Sequence, residues 1–274
     1  MNRQRKWLAL PSLFVIAAFA ALPLLIMLYY SFQSDDGTAG FTLEQYTRFF
    51  ERSFYLSLTW RTIQNSLYVA LISLLIAYPL AYVMARKLKG LRNVVLVLII
   101  IPFFTNQLVR VYAWLIFLQD GGIFESFLTP FGVAQGALGI LYTRMAVIIG
   151  LVHAFFPYMA ITIYLALERL DGALLEAGAS LGASKFEVFR TITLPLSRPG
   201  VVAGLLLVFV PCLGTFVEPR ILGGVNGTVI GTVIEDQFFR IYGWNFGAAI
   251  AFLLLAMVLL SIGLLSRLGG EGAE

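Results

Sequence analysis

Charge is scarce in this sequence. Of its 274 residues 12% are Asp, Glu, Lys or Arg and 59% are apolar, whereas a soluble domain is about 25% charged. A chain this poor in charge cannot cover itself against water, so lipid is the expected solvent. Cysteine is scarcer still. Cys212 is the only one, which excludes an intrachain disulfide framework; set in an apolar run, it reads as a small core residue. The single histidine, His153, reads as a hydrogen-bonded core residue and leaves little scope for metal or triad chemistry. H-E-x-x-H, G-x-S-x-G and the phosphate-binding G-x-x-x-x-G-K-[ST] are all missing. No catalytic residue, metal ligand or cofactor is therefore expected, and any ATP hydrolysis falls to a partner. The net charge of +4 does not point to nucleic acid, because Lys and Arg gather at the ends of apolar runs instead of on one face.

Apolar runs are what the sequence has in abundance. A bilayer core about 30 Å thick needs roughly 20 helical residues. Six runs meet that length, at about Leu8–Phe32, Ile63–Ala85, Val94–Leu118, Met145–Leu167, Val201–Leu222 and Trp244–Leu265. The first is too long for the core of a signal peptide and no A-x-A site follows it. Proline within the runs, at 11, 23, 79, 102, 157 and 211, suits membrane helices, whose neighbours can satisfy the freed carbonyls. The expected fold is thus an all-α membrane protein with six transmembrane helices. Twelve Lys and Arg fall on one side, among them Arg3, Arg5, Lys6, Arg86, Lys87, Lys89 and Arg92; Arg48, Arg52, Arg220 and Arg240 fall on the other, with Arg61 and Arg144 at span edges. The positive side faces the cytoplasm, so both termini and the long loop 169–200 are expected there. Trp7, Trp60 and Trp244 fall at the expected interfaces.

That loop carries helix signals of its own. Asp171 can cap a short helix running to Leu181, and Gly182 can stop it in the left-handed region. Ser184 and Glu187 form a capping box opening a second helix, on which Phe186, Phe189 and Ile192 make an apolar stripe. Pro195 and Pro199 are expected to end that helix before the fifth span. Small residues (Ala173, Ala177, Gly178, Ala179, Gly182 and Ala183) line the first helix and the turn, leaving room for another protein to approach closely. By spacing alone an interfacial connector that binds nothing fits as well.

Glu176-Ala177-Gly178, then Gly182, then Ile192-x-Leu194-Pro195 at the intervals found here resembles the EAA loop of binding-protein-dependent ABC importer permeases. Gly178 stands where that pattern has alanine. The resemblance implies the type I ABC importer permease fold, with a transmembrane core over 62–267, an added first span and external loop over 1–61 and a short tail, 268–274. It implies that Glu176, Ala177, Gly178, Gly182, Ala183, Ile192, Leu194 and Pro195 couple the chain to P-loop ATPase subunits, two per complex. It also implies a second six-span permease subunit of different sequence and a periplasmic solute-binding protein, all at the bacterial inner membrane. A narrower similarity, to spermidine/putrescine permeases, rests on Ile101–Tyr112, on Val147–Val152, on Leu222-Gly223-Gly224 with Ile230-Gly231, and on 236–239 and 244–249. It implies a polyamine as solute; related permeases carry opines or phosphonates. An autonomous secondary transporter fits less well, since buried acids are few.

Charges at lipid depth tend to face a bundle interior or an aqueous path. Arg110 in the third run and Glu218 at the far end of the fifth are therefore candidate path residues, the alternatives being an ion pair with each other or with Arg220, or snorkelling. Tyr112 and Tyr158 could hold an amine by cation–π contact, as could Trp114 and Tyr164. The expected external loops hold nine acids, Asp35, Asp36, Glu44, Glu51, Asp120, Glu125, Glu218, Glu235 and Asp236, an excess that would concentrate cations.

Overall fold

The computed structural model describes residues 3–35, 40–88, 90–132, 136 and 138–270, with side chains described from residue 14 to 267 except at residue 16. Asp36, Lys89, the side chains of Arg3, Arg5, Lys6 and Trp7, and residues 271–274 of the expected tail lie outside the described residues. Among those described the chain is helical and has no strand. In order the helices are α1 (Arg3–Ser31), α2 (Glu44–Glu51), α3 (Ser53–Arg86), α4 (Arg92–Ile100), α5 (Gln107–Leu118), α6 (Ile123–Leu128), α7 (Arg144–Glu168), α8 (Gly172–Ser180), α9 (Lys185–Val188), α10 (Leu194–Gly214), α11 (Val217–Leu222), α12 (Ile230–Asp236) and α13 (Trp244–Gly270).

Among the described residues four helical stretches are long and apolar enough to cross a membrane: Ser53–Arg86, Arg144–Glu168, Lys185–Gly214 and Trp244–Arg267. A fifth arises if α4 and α5 count as one span, but they are bent by 98°. The third apolar run is thus not the single helix its composition suggests. Ile101–Phe104 tightens into a 3-10 turn with Pro102 at its start, Thr105 is extended (ψ 143°), and the Asn106 side chain caps α5 by accepting from the Leu108 N–H at 2.8 Å. On α1 the described apolar part, Ala17–Ser31, is shorter than a span.

The fifth run also differs from expectation. Its helix begins at Lys185, passes Pro195 and Pro199 without ending, and stops at Gly214. A π-helical turn at Phe189–Thr193 joins α9 to α10. There the hydrogen-bond ladder has already shifted register, so the missing N–H of Pro195 falls where it costs least. Beyond Gly214 the chain is extended at Thr215 (ψ 144°) and resumes as the separate α11.

Two compact units are distinguishable, residues 1–57 with 233–256 and residues 58–232 with 257–274. In the larger, α7 is the axis. Leu151, Met159, Ile163 and Leu167 on it are fully buried, together with Val69, Ala77, Ala81 and Met84 of α3. Cys212 lies in the same core, as its setting suggests. α10 crosses α7 at Gly200 and Gly204, an i, i+4 pair of small residues that lets helix backbones touch. A Cβ at Gly200 would overlap the Ala166 methyl and lie 2.8 Å from the Thr162 carbonyl; one at Gly204 would lie 2.6 Å from Met159 Sδ and 2.7 Å from Thr162 Oγ1. At the other end of α7, Arg86 donates to the carbonyls of Leu167 (3.2 Å) and Leu170 (3.4 Å), closing the helix with a cation where its dipole is negative. Glu168 pairs with Arg92 at 2.8 Å and accepts from the Tyr164 hydroxyl at 2.7 Å.

In the smaller unit, Asp35 pairs with Arg48 at 3.1 Å. The same guanidinium stacks over Phe246 at 4.3 Å. Phe246 is buried against Tyr55 (5.1 Å between ring centres), and Asn245 donates to the Ser34 carbonyl at 3.1 Å.

Candidate functional site

Both helix breaks of the larger unit contribute to one cavity. It has a volume of about 280 Å³ and is lined by Phe103, Thr105, Gln107, Arg110, Ala154, Phe155, Tyr158 and Glu218. The α4–α5 break supplies Phe103 to Arg110, the α10–α11 break supplies Glu218, and α7 supplies the wall between them. Two interrupted helices turned toward one polar pocket is a recurrent arrangement in membrane proteins that bind solutes, because irregular backbone is tolerated at depth only where it lines a cavity.

Glu218 is the most buried polar side chain here, 1% exposed. Its Oε1 accepts from Gln107 Nε2 at 3.1 Å and its Oε2 from the Thr215 hydroxyl at 2.9 Å. Both donors are neutral, so among the described residues the carboxylate is hydrogen-bonded but in no ion pair, and each oxygen retains acceptor capacity. The expected ion pairs of Glu218 with Arg110 or Arg220 are thus replaced by bonds to an amide and a hydroxyl. Arg110 instead donates at 3.3 Å to the Pro102 carbonyl, which also accepts from the Thr105 hydroxyl at 2.7 Å and the Thr105 N–H at 3.3 Å. Tyr158 packs edge-on against Phe103, 4.7 Å between ring centres. Three of the four candidate path residues therefore share one cavity. Tyr112 does not: it is 53% exposed on another face of α5.

Glycines hold α11 in place. A Cβ on Gly150 of α7 would lie 2.5 Å from Leu222 Cδ1 and 3.8 Å from Glu218 Cγ. One on Gly223 would lie 2.6 Å from Val147 Cγ2, and one on Gly231 would overlap the Thr215 carbonyl. These glycines and Val147 belong to the segments singled out in the sequence; their shared property is close backbone approach around the second break. Gln107 and Thr215 were missed. Their only signal was position beside an N-capping Asn106 and after Gly214.

Other expectations need correction. His153 is half buried, and its Nδ1 has no partner among the described residues. It meets Trp114 edge-on at 5.4 Å and borders a second, apolar cavity of about 660 Å³ with Tyr68, Ile72, Arg144 and Phe156. Glu125 is not a solvated loop acid. It is 3% exposed and accepts three backbone N–H bonds, from Gly136 (2.7 Å), Gly121 (2.8 Å) and Leu138 (3.2 Å). Those donors hold its carboxyl below the ordinary carboxylate range. Asp35 and Asp236 are also paired, the latter with Arg240. These three of the nine outer-loop acids are thus engaged by groups of the chain itself. Tyr164 is buried, its hydroxyl donating to Glu168.

The loop 169–200 follows its helix signals closely at the start. Asp171 caps α8 by accepting from the Ala173 N–H at 2.9 Å. Gly182 adopts φ +86°, and both halves of the Ser184–Glu187 capping box form. The Ser184 N–H and hydroxyl hold the Glu187 carboxyl below its usual range. The Glu176 side chain makes no hydrogen bond or ion pair among the described residues and is exposed. Leu174, Leu181 and Phe186 are exposed at 50%, 89% and 70%. Phe189 instead turns inward against Tyr78 and Tyr82, 5.9 and 5.7 Å between ring centres. A Cβ on Gly178 would lie 2.9 Å from Ile192 Cδ1, so α8 folds back on the start of the long helix. Leu194 and Pro195 are exposed within that helix, and Ala183 is half buried in the turn.

Residues 77–268, which contain the cavity and the loop, match the family described as binding-protein-dependent transport system inner membrane component. The chain belongs to that family. It is 38% identical to the spermidine/putrescine transport system permease protein PotB of Haemophilus influenzae over 248 residues, 89% of this chain and 86% of the relative. Identity to PotB of Escherichia coli K12 is 38% over 266 residues, 94% and 96% of the two chains. MalF of Thermococcus litoralis, a trehalose/maltose transport system permease protein, is 27% identical over 91% of this chain and 88% of its own. The fold matches a chain in the crystal structure of a bacterial ABC transporter that imports alginate, with a TM-score of 0.79 over 99% of this chain and 98% of that one at 19% identity. The family member described here is thus a multi-pass inner-membrane transport component with the ABC importer permease fold, and its relatives are transport permeases.

Proposed function

We propose that the chain is one permease subunit of an ATP-driven importer of polyamines such as spermidine and putrescine. The core spans 62–267, an additional first span and external loop lie over 1–61, and 268–274 is a tail. With α1 and the bent α4–α5 pair counted, the chain crosses the membrane six times, and the excess of Lys and Arg on one side supports a cytoplasmic position for both termini and the loop 169–200. There Glu176, Ala177, Gly178, Gly182, Ala183, Ile192, Leu194 and Pro195 form the element that couples to two P-loop ATPase subunits. A second, different permease chain completes the path, and a periplasmic binding protein delivers the solute. Hydrolysis of ATP belongs to the partner.

The observation that carries the solute class is Glu218: a carboxylate buried in a cavity walled partly by Phe103, Phe155 and Tyr158, held by neutral donors and in no ion pair among the described residues. An ammonium group entering beside Tyr158 and Phe103 supplies the missing positive charge. The identity to PotB proteins supports the same reading. The exposed Glu176, without a side-chain partner among the described residues, and the outward Leu174, Leu181 and Phe186 beside it support the coupling role, since a partner's surface would both cover the apolar side chains and pair the carboxylate.

Glu218→Gln tests it, with the complete importer expressed in cells lacking other polyamine uptake. Uptake of labelled spermidine is expected to fall by about ten-fold or more, the rough cost of losing one charged partner in a buried site, while the subunits still co-purify. Unaltered uptake, or a partner binding protein selective for an anion such as a phosphonate, overturns the polyamine assignment.

A further inference from the structure

Arg110 and Glu218 line the same cavity, yet their side chains are bound elsewhere. The guanidinium is fixed on the Pro102 carbonyl at 3.3 Å, and the carboxylate is fixed by Gln107 and Thr215. Opposite charges lining one small, partly enclosed space normally draw together, because their attraction grows as water is excluded. Here each is restrained by a separate helix break: Pro102 and Gln107 flank the first, Thr215 and Glu218 the second. The result is one fixed negative and one fixed positive charge facing the same solute.

We infer that Arg110 is a specificity-determining residue that keeps cationic solutes weakly held at Glu218. The inference rests on the polyamine reading above. The first ammonium of an entering amine is attracted to Glu218 and stabilised by the faces of Tyr158, Phe103 and Phe155. A second ammonium on the same molecule, or the first if it strays across a cavity of about 280 Å³, meets the guanidinium. A conduction site has to hold its solute weakly enough to release it. A lone buried carboxylate would trap a polycation, and the opposing arginine prevents this. The penalty grows with the number of solute charges, so Arg110 discriminates most strongly against long residence of a triamine.

The test uses the full importer, both permease chains with the ATPase subunits, in nanodiscs without the binding protein. Equilibrium binding of labelled putrescine and spermidine is measured for wild type, Arg110→Gln and Arg110→Lys, and ATP-driven uptake is measured in proteoliposomes with the binding protein restored. Glutamine keeps a donor for the Pro102 carbonyl while removing the charge; lysine keeps the charge. Arg110→Gln is expected to bind spermidine about ten-fold tighter, to gain less for putrescine, and to turn over more slowly because release is delayed. Arg110→Lys is expected to stay weak-binding. Unchanged or weaker spermidine binding by Arg110→Gln overturns the inference, as does an equal gain in Arg110→Lys. Failure of the wild-type importer to take up spermidine removes the polyamine reading and the inference with it. Wild-type uptake with no tightening in Arg110→Gln removes the inference alone.

Discussion

Glycine is used in two opposite ways in the larger unit. At Gly182 it supplies a backbone angle. The residue sits at φ +86°, and a Cβ added there would meet nothing within 4 Å. At Gly200 and Gly204 it supplies space, since an added Cβ would run into α7. The first setting is local, written in the few residues around the turn, and faces outward. The second is a contact between helices far apart in sequence, and faces inward. The difference separates an outward turn, which we propose meets another molecule, from a contact within the chain's own fold.

The contrast predicts a graded set of outcomes. Gly200→Val should have the largest effect. The branched side chain overpacks the α7–α10 crossing, by about 3 kcal/mol, and folded, monodisperse protein in detergent should fall sharply. A variant with the wild-type unfolding temperature would show that the helices can separate there and would erase the distinction.

Gly182→Val should leave that fold intact. A β-branched residue in the left-handed region costs about 1–2 kcal/mol, paid within the loop, so subunit insertion is normal while ATPase association and uptake drop. Gly182→Asn, which tolerates the same angle, should keep most of the uptake. Equal loss in both variants would mean that the glycine supplies space against the partner, and the contrast with Gly200 would narrow to one of inside against outside.

This asymmetry explains what was legible in the sequence. The Asp171 cap, the Gly182 stop and the Ser184–Glu187 box depend on neighbours within four residues, and all three formed as expected. The length of the apolar runs likewise gave most of the long helices. The breaks at Thr105 and Thr215 were hidden because both runs are apolar throughout, and hydropathy does not register a change of direction. Glu218 was legible as an unusual charge, but its partners were not, since Gln107 reaches it across more than a hundred residues of sequence. Arg110 was given a plausible acid partner by charge alone; the structure gives it a carbonyl. The Gly200–Gly204 pair is a small-xxx-small pattern that straddles the expected start of the fifth span at Val201, so its role as a helix contact shows only in the structure.

Glu125 gives a prediction of intermediate size. Its carboxyl is held below the usual range by the N–H groups of Gly136, Gly121 and Leu138, so in the folded state it resists protonation. Its contribution is therefore complete above the ordinary carboxylate pKa and is lost as pH falls through the depressed value. Limited proteolysis of the 119–143 segment should accelerate several-fold on acidification in the wild type. Glu125→Gln should be cleaved faster at neutral pH and should lose the acid dependence. An unchanged acid dependence in the variant would assign it to another group.

The smallest effect belongs to Gly178. An added Cβ would meet only Ile192 Cδ1 at 2.9 Å and Val188 Cγ2 at 3.4 Å, the ends of side chains that can move. Alanine also favours the helix by up to about 1 kcal/mol. Gly178→Ala should thus be neutral to slightly stabilising, with full uptake. A clear loss of uptake would make Gly178 a close-approach position like Gly200 and would redraw the boundary between the two uses.

The π-helical turn at Phe189–Thr193 has a mechanical consequence. It welds what would be a loop helix and a membrane helix into one shaft of 30 residues, Lys185–Gly214, about 45 Å long at 1.5 Å per residue. One end abuts the Gly182 turn and the other ends at Thr215, whose hydroxyl holds Glu218. A tilt of about 5° about one end of such a shaft swings the other through roughly 4 Å, more than the length of the hydrogen bond to Glu218. Two features separated by an entire helix in sequence are, for purposes of movement, opposite ends of the same lever.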